Sequence, residues 1–170
     1  MLTRFFPEKY LASIFELNID ELIEEGVKGI IFDIDNTLVP YDEAEPNEKI
    51  IALFERIKSK GLQITLASNN TEDRVVKFNE RLKVFAIHKS KKPSTQGLRK
   101  AMQLMNLAPE EVAIVGDQVF TDVFGGNRAK IKTILVSPIS EKDEWITKIK
   151  RGLEKKILKR YEVHVKKNNR

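Results

Sequence analysis

The chain has no cysteine among its 170 residues, which excludes disulfides, thiolate metal sites and a cysteine nucleophile. No apolar run approaches the ~18 residues that a membrane-spanning helix needs. The opening stretch MLTRFFPEKYLASIF carries polar and charged residues throughout and lacks the apolar centre of a signal peptide, so the expected compartment is the cytoplasm. Internal repeats and low-complexity segments are absent as well. The two histidines, His88 and His164, fall at a strand end and in the tail, where neither earns a catalytic role. What remains, 41% hydrophobic and 32% charged residues, suits a soluble globular domain with a core. At this length one domain over residues 1–170 is the default expectation.

Charge is unevenly spread. The net charge is +5, yet residues 141–170 hold 11 Lys/Arg against 5 Asp/Glu while the other 140 hold 19 against 20. The excess therefore belongs to a basic tail on a near-neutral body, and such a tail can meet an anionic surface.

Five short apolar runs alternate with helical patterns: Lys28–Asp33, Gln63–Ser68, Val84–His88, Glu111–Asp117 and Lys132–Ser137. They are rich in aliphatic residues and alternate little, as strands covered on both faces do. Between them, helices are expected over Asn47–Lys60, ending at Gly61, over Thr71–Leu82 with Asn70 as a possible cap, over Ser94–Met105, and briefly over Phe120–Arg128. Residues 3–25 read as one or two short helices, 140–160 as a longer one, and 162–170 as a frayed end. The fold class is α/β: a doubly wound, parallel, five-stranded, Rossmann-like sheet with extra helices at both termini and a core over about residues 27–139.

In such a sheet, ligands bind beyond the carboxyl ends of the strands. Asp33 ends the first run, Ser68 the second and Asp117 the fourth, and Lys92 closely follows the third. Asp33 and Asp35 sit at i and i+2, so in extended chain they point the same way. One carboxylate can attack while the other handles a proton. Several acids in one dry crevice need a cation among them, and oxygen-only ligands suit Mg²⁺. A lysine and a hydroxyl match the equatorial oxygens of a phosphoryl group.

DIDNTL, the serine of SNN, the lysine of KKP and GDQVFTD, in that order, resemble the four motifs of the haloacid-dehalogenase-like phosphohydrolases over roughly Gly29 to Ser137. FPEKYLASI, GIIFDIDNTLVP and GDQVFTDVFGGN are more similar still to the YqeG-type, subfamily IIIA members, a group that the phosphatidylglycerophosphate phosphatases of mitochondria and chloroplasts also resemble. The resemblance implies Asp33 as a nucleophile forming an aspartyl-phosphate, and Asp35 as the acid and then the base. It implies Mg²⁺ held by Asp33, the main-chain carbonyl of Asp35, and Asp117. Ser68, Asn69 and Lys92 become phosphate ligands, and Thr37 a brace of the first motif. Asp122 is left between the metal's outer shell and the orientation of Lys92.

Only 32 residues separate Asp35 from Ser68 and 23 separate Ser68 from Lys92. Neither gap holds a cap domain of more than about 40 residues beyond the elements already there. A capless site is open and suits a phosphomonoester presented on something large. In the tail, Trp145, Ile146, Ile149, Leu153 and Ile157 form one helical stripe flanked by Lys148, Lys150, Arg151, Lys155, Lys156, Lys159 and Arg160. That stripe either packs on the body or lies at the inner face of an anionic membrane. The expected substrate is phosphatidylglycerophosphate, in phospholipid synthesis, with no nucleic acid as partner of choice. The alternatives are phosphatases of a phosphoprotein, nucleic-acid end or small metabolite, and a non-catalytic partner-binding module. A phosphoryl-accepting receiver domain fits less well, because there the acid pair and the phosphorylated aspartate end different strands. The pattern gives no oligomeric state.

Overall fold

The computed structural model describes residues 2–140 and 145–168, with backbone alone for 145–150 and 168. In chain order the elements are β1 (Lys9–Leu11), α1 (Ile19–Glu24), β2 (Gly29–Phe32), α2 (Glu48–Ser59), β3 (Gln63–Ala67), α3 (Glu72–Asn79), β4 (Phe85–Ile87), α4 (Gln96–Met105), β5 (Val112–Gly116), α5 (Phe124–Ala129), β6 (Lys132–Val136) and α6 (Trp145–Asn168). The strands form one sheet in the order β1-β6-β5-β2-β3-β4, and every neighbouring pair is parallel.

Period-two alternation sorts the strand side chains between two layers. Ile30, Phe32, Ile64, Leu66, Ala113 and Val115 pack with Ile50, Phe54 and Ile57 of α2 and Val75 and Phe78 of α3. Ile31, Ala67, Ile87 and Ile114 face the other way, onto Leu98, Ala101 and Met105 of α4 and Ala129 of α5. Both faces are covered, which is why the strands read as unbroken apolar runs. The helix ends follow local chemistry. Asn47 accepts the amide of Ile50 at 3.1 Å, and Gly61 takes the left-handed turn after α2 at φ +86°. The cap of α3 is Thr71 rather than Asn70: its hydroxyl accepts the Arg74 amide at 3.4 Å, while the Asn70 side chain is used elsewhere.

Two expectations are corrected. The sheet has six strands, not five, because Lys9–Leu11, expected within short helices, pairs with β6 at the edge, Lys9 opposite Ile134. Three residues are too few to show a period, so tertiary pairing decides them. The chain end is not frayed from residue 162: α6 continues to Asn168, and Phe6 meets Tyr161 and His164 with ring centroids 5.7 and 5.5 Å apart.

After β2 the chain winds outward through β3 and β4, then returns to the other side of β2 with β5 and β6. This reversal opens a crevice beyond the ends of β2 and β5. The floor depends on fully buried Phe32 and Phe54, whose rings lie 5.1 Å apart. Phe54→Ala is expected to destabilise the protein by ~3–5 kcal/mol, read in denaturant unfolding.

Candidate active site

Asp33 prolongs β2, its amide donating to the Val115 carbonyl at 3.0 Å, and Asp117 follows the last residue of β5. Asp122 comes from a single wide turn, Val119–Val123. The three acids are buried, and each brings a carboxylate oxygen within 4.8 Å of the others. Gly116 makes this approach possible: a Cβ there would overlap the Asp122 carboxyl, so a larger residue would push Asp122 off the strand end.

Lys92 joins the acids. Its Nζ donates to Oδ1 of Asp33 and to Oδ1 of Asp122, both at 2.7 Å, and its side chain is 2% exposed. Burial alone would lower the lysine's pKa, but Asp122 and Asp33 outweigh it and hold the ammonium charged. Asp33 is pushed from 3.8 up to about 8 by burial, with Lys92 opposing and Asp122 and Asp117 adding to the rise. Asp117 is raised to about 6, again by burial first and then by Asp122. Asp33 and Asp117 are thus both raised by the loss of water and by like charges nearby.

The other motif residues build the loops around this centre. Ser68 is buried, and its Oγ accepts the Asn70 amide at 3.1 Å, so it is not the α3 cap. Asn69, expected as a phosphate ligand, spends its amide on the lysine loop. Its Oδ1 accepts the Lys92 amide and the Ser90 hydroxyl at 2.8 Å each, and its Nδ2 donates to the Lys92 carbonyl at 2.9 Å. Asn69 sets where Lys92 stands. Thr37 donates its hydroxyl to Asp117 Oδ1 at 3.2 Å, tying the first motif to the fourth. Asp122 orients Lys92 with Oδ1, and its Oδ2 accepts the Gln118 amide at 3.1 Å. The Asp35 carboxyl stands outside the buried cluster, turned to Arg74 and Asn70.

The residues that sequence reasoning missed lie on α3 and α6. Arg151 donates to Asp117 Oδ2 at 2.6 Å and to the Asp117 carbonyl at 3.0 Å. Glu154, buried and raised in pKa by that burial, accepts the Val119 amide at 2.8 Å. Ile157 is buried beside them and Leu153 is 50% exposed, so the docked face carries Arg151, Glu154 and Ile157 rather than the expected apolar stripe. The side chains of Trp145, Ile146 and Ile149, also in that stripe, lie outside the described residues. The spacing of Arg151 and Glu154 was visible as one helical turn, but nothing local tells a docked charge from a solvated one.

The model for haloacid dehalogenase-like hydrolases matches residues 40–136, and the chain is 42% identical to the probable phosphatase YqeG of Bacillus subtilis (strain 168), across 93% of this chain and 92% of that one. The chain belongs to the haloacid dehalogenase-like hydrolase family. It is also 34% identical to the chloroplastic/mitochondrial phosphatidylglycerophosphate phosphatase 1 of Arabidopsis thaliana, with 91% of this chain aligned to 47% of that protein, so it spans about half that relative's length. The hydrolase fold is shared with CbbY from Rhodobacter sphaeroides in complex with phosphate, at TM-score 0.56 and 14% identity, over 69% of this chain and 90% of that one.

The oxygen-only cluster fits the divalent metal that hydrolases of this family use. Without metal, the raised pKa of Asp33 lowers stability in a defined window. The unfolded chain releases this proton near its ordinary value of 3.8, and the folded hydrolase keeps it until about 8. Stability from this group therefore falls as pH rises between those values. Asp33→Asn removes the penalty and leaves Asp122 to hold Lys92. In excess chelator, the variant is expected to melt above wild type, by a margin that widens from pH 5 to pH 8 in scanning calorimetry.

Proposed function

We propose that this hydrolase is a Mg²⁺-dependent phosphomonoesterase that works through an aspartyl-phosphate on Asp33. The observation that carries the reading is the Lys92 ammonium, buried between Asp33 and Asp122 at 2.7 Å from each. It aims one carboxylate beside a fixed positive charge, the arrangement a nucleophile needs to approach an anionic phosphoryl group. Similarity to the probable phosphatase YqeG supports the same class.

Asp33 attacks phosphorus. Lys92 and the Ser68 hydroxyl hold the equatorial oxygens, and Asn69 keeps the lysine loop in register. Asp35 gives a proton to the departing alcohol and later takes one from the water that cleaves the acyl phosphate. The carboxylates of Asp33 and Asp117 and the main-chain carbonyl of Asp35 are the residues to hold Mg²⁺, with Thr37 and Arg151 orienting Asp117. When bound, the ion offsets the charge of the acids and of the phosphoryl oxygens. Phosphate release from an aryl phosphate is expected to require Mg²⁺ and to vanish in excess EDTA. Asp33→Asn, folded by circular dichroism, is expected to retain less than about a thousandth of wild-type turnover, since an amide cannot attack. A tenth of wild-type turnover would remove Asp33 from the role.

The open site and the outer face of α6 support a substrate carried on something large. Phosphatidylglycerophosphate, named for the relative in Arabidopsis thaliana, is the substrate we assign. The exposed residues Lys155, Lys156, Lys159 and Arg160 surround Leu153 and Val163, which are 50% and 54% exposed, a basic face with apolar points that suits an anionic bilayer. Among the described residues no helix is long and apolar enough to cross a membrane, so contact would be peripheral. Each basic residue near such a surface is worth roughly 1 kcal/mol. Lys155→Glu, Lys156→Glu and Lys159→Glu together are expected to abolish flotation with anionic vesicles and to spare aryl phosphate turnover. Equal turnover of a soluble nucleotide and of the vesicle-borne lipid would defeat the substrate assignment and leave the phosphatase chemistry standing.

A further inference from the structure

Arg74 stands in the first turn of α3 and reaches across to the first motif. Its Nε and Nη2 donate to Asp35 Oδ1 at 3.3 and 2.9 Å, and Asn70 Nδ2 donates to Asp35 Oδ2 at 3.1 Å. Both oxygens of Asp35 are therefore engaged as acceptors. A guanidinium has donors only, so a hydrogen on Oδ1 finds no acceptor there. For Asp35 to present a proton to an ester oxygen from Oδ1, where both guanidinium donors now sit, Arg74 has to take another partner.

Two further features distinguish this arginine from a structural one. Its Nη1 is buried and has no hydrogen-bond partner among the described residues, whereas the donors of a purely structural arginine are normally satisfied. The pair also stands nearer to solvent than the catalytic lysine does: the side chains of Arg74 and Asp35 are 14% and 18% exposed, against 2% for Lys92. The guanidinium lies over the Phe78 ring, 5.5 Å from its centroid, an apolar rest that does not compete for its donors.

We propose that Arg74 recognises a second anionic group, a phosphate or phosphodiester, on the alcohol side of the substrate. It holds Asp35 before substrate arrives and passes to that anion on binding, so that Asp35, still held by Asn70, is released toward the ester oxygen. The inference rests on the reading of Asp35 as proton donor. Only hydrogen bonds are exchanged, and a planar guanidinium matches a phosphate better than it matches the single oxygen it now holds. Phosphomonoesters of neutral alcohols leave Arg74 on Asp35 and turn over slowly.

The test compares kcat/KM of the full chain with Mg²⁺ on glycerol 1-phosphate, glycerol 1,3-bisphosphate and soluble glycerophosphoglycerol phosphate, with vesicle-borne phosphatidylglycerophosphate as a fourth arm. Wild type is expected to favour the substrates with a second anion by ~10- to 100-fold. Arg74→Met is expected to remove most of that ratio, and Arg74→Lys, which keeps charge without the fork, to restore part of it. A ratio near one in wild type, which needs no variant, overturns the proposal. So does a ratio that survives in Arg74→Met, or a preference confined to vesicles, since the surface and not the anion is then selected. No turnover of the soluble second-anion substrates by protein active on aryl phosphate also overturns it. Asp35→Asn separates the underlying reading: if this variant cleaves glycerol 1-phosphate at the wild-type rate, Asp35 is not the proton donor, whatever the ratio at Arg74.

Discussion

A buried ammonium between two buried carboxylates organises this protein. Lys92 is 5% exposed and pairs with Asp33 and Asp122, one at the end of β2 and the other in the wide turn that follows β5. Charges taken out of water are costly unless each finds a partner, so the lysine loop, the strand ends and the wide turn after β5 have to be placed together. Asn69 and Ser90 fix the lysine loop, and Gly116 leaves the space that Asp122 fills.

The same constraint explains why the last helix sends a charged residue to the centre. Asp117 sits among like charges, and Arg151 supplies a second cation from α6. Glu154 seats that helix on the amide of Val119, and Phe6 meets Tyr161 further along. The C-terminal helix is thus joined to Asp117 through Arg151 and to the N-terminal aromatics through Tyr161 and His164, while Lys155, Lys156, Lys159 and Arg160 are exposed. A site without a cap domain gains a wall from the face of α6 that carries Arg151 and Glu154.

The two halves of the site differ in depth. Asp33, Lys92 and Asp122 stand in a dry, tightly paired interior where geometry cannot adjust cheaply. Asp35, Arg74 and Asn70 stand at a half-buried margin, where one partner can be exchanged for another. Rigid charge placement suits attack on phosphorus, and an adjustable margin suits selection of the departing alcohol.

Composition, period and spacing by themselves determined the α/β class, the five strands β2 to β6, and the placing of Asp33, Ser68, Lys92 and Asp117 at one edge. Each follows from a local rule: apolar runs of strand length, polar residues where the runs stop, and a parallel sheet that puts those stops together. They also determined that no cap separates the motifs, because the gaps are short. Tertiary structure alone decided that Lys9–Leu11 pairs as a sixth strand, that Thr71 and not Asn70 caps α3, and that Asn69 holds a loop. It also decided that Arg74, Arg151 and Glu154 belong to the site. The reason is physical. A three-residue strand and a charge on a helix carry no period of their own, and whether an arginine is solvated or docked depends on a partner 34 or 39 residues away in sequence. Only the folded chain brings that partner within hydrogen-bond distance.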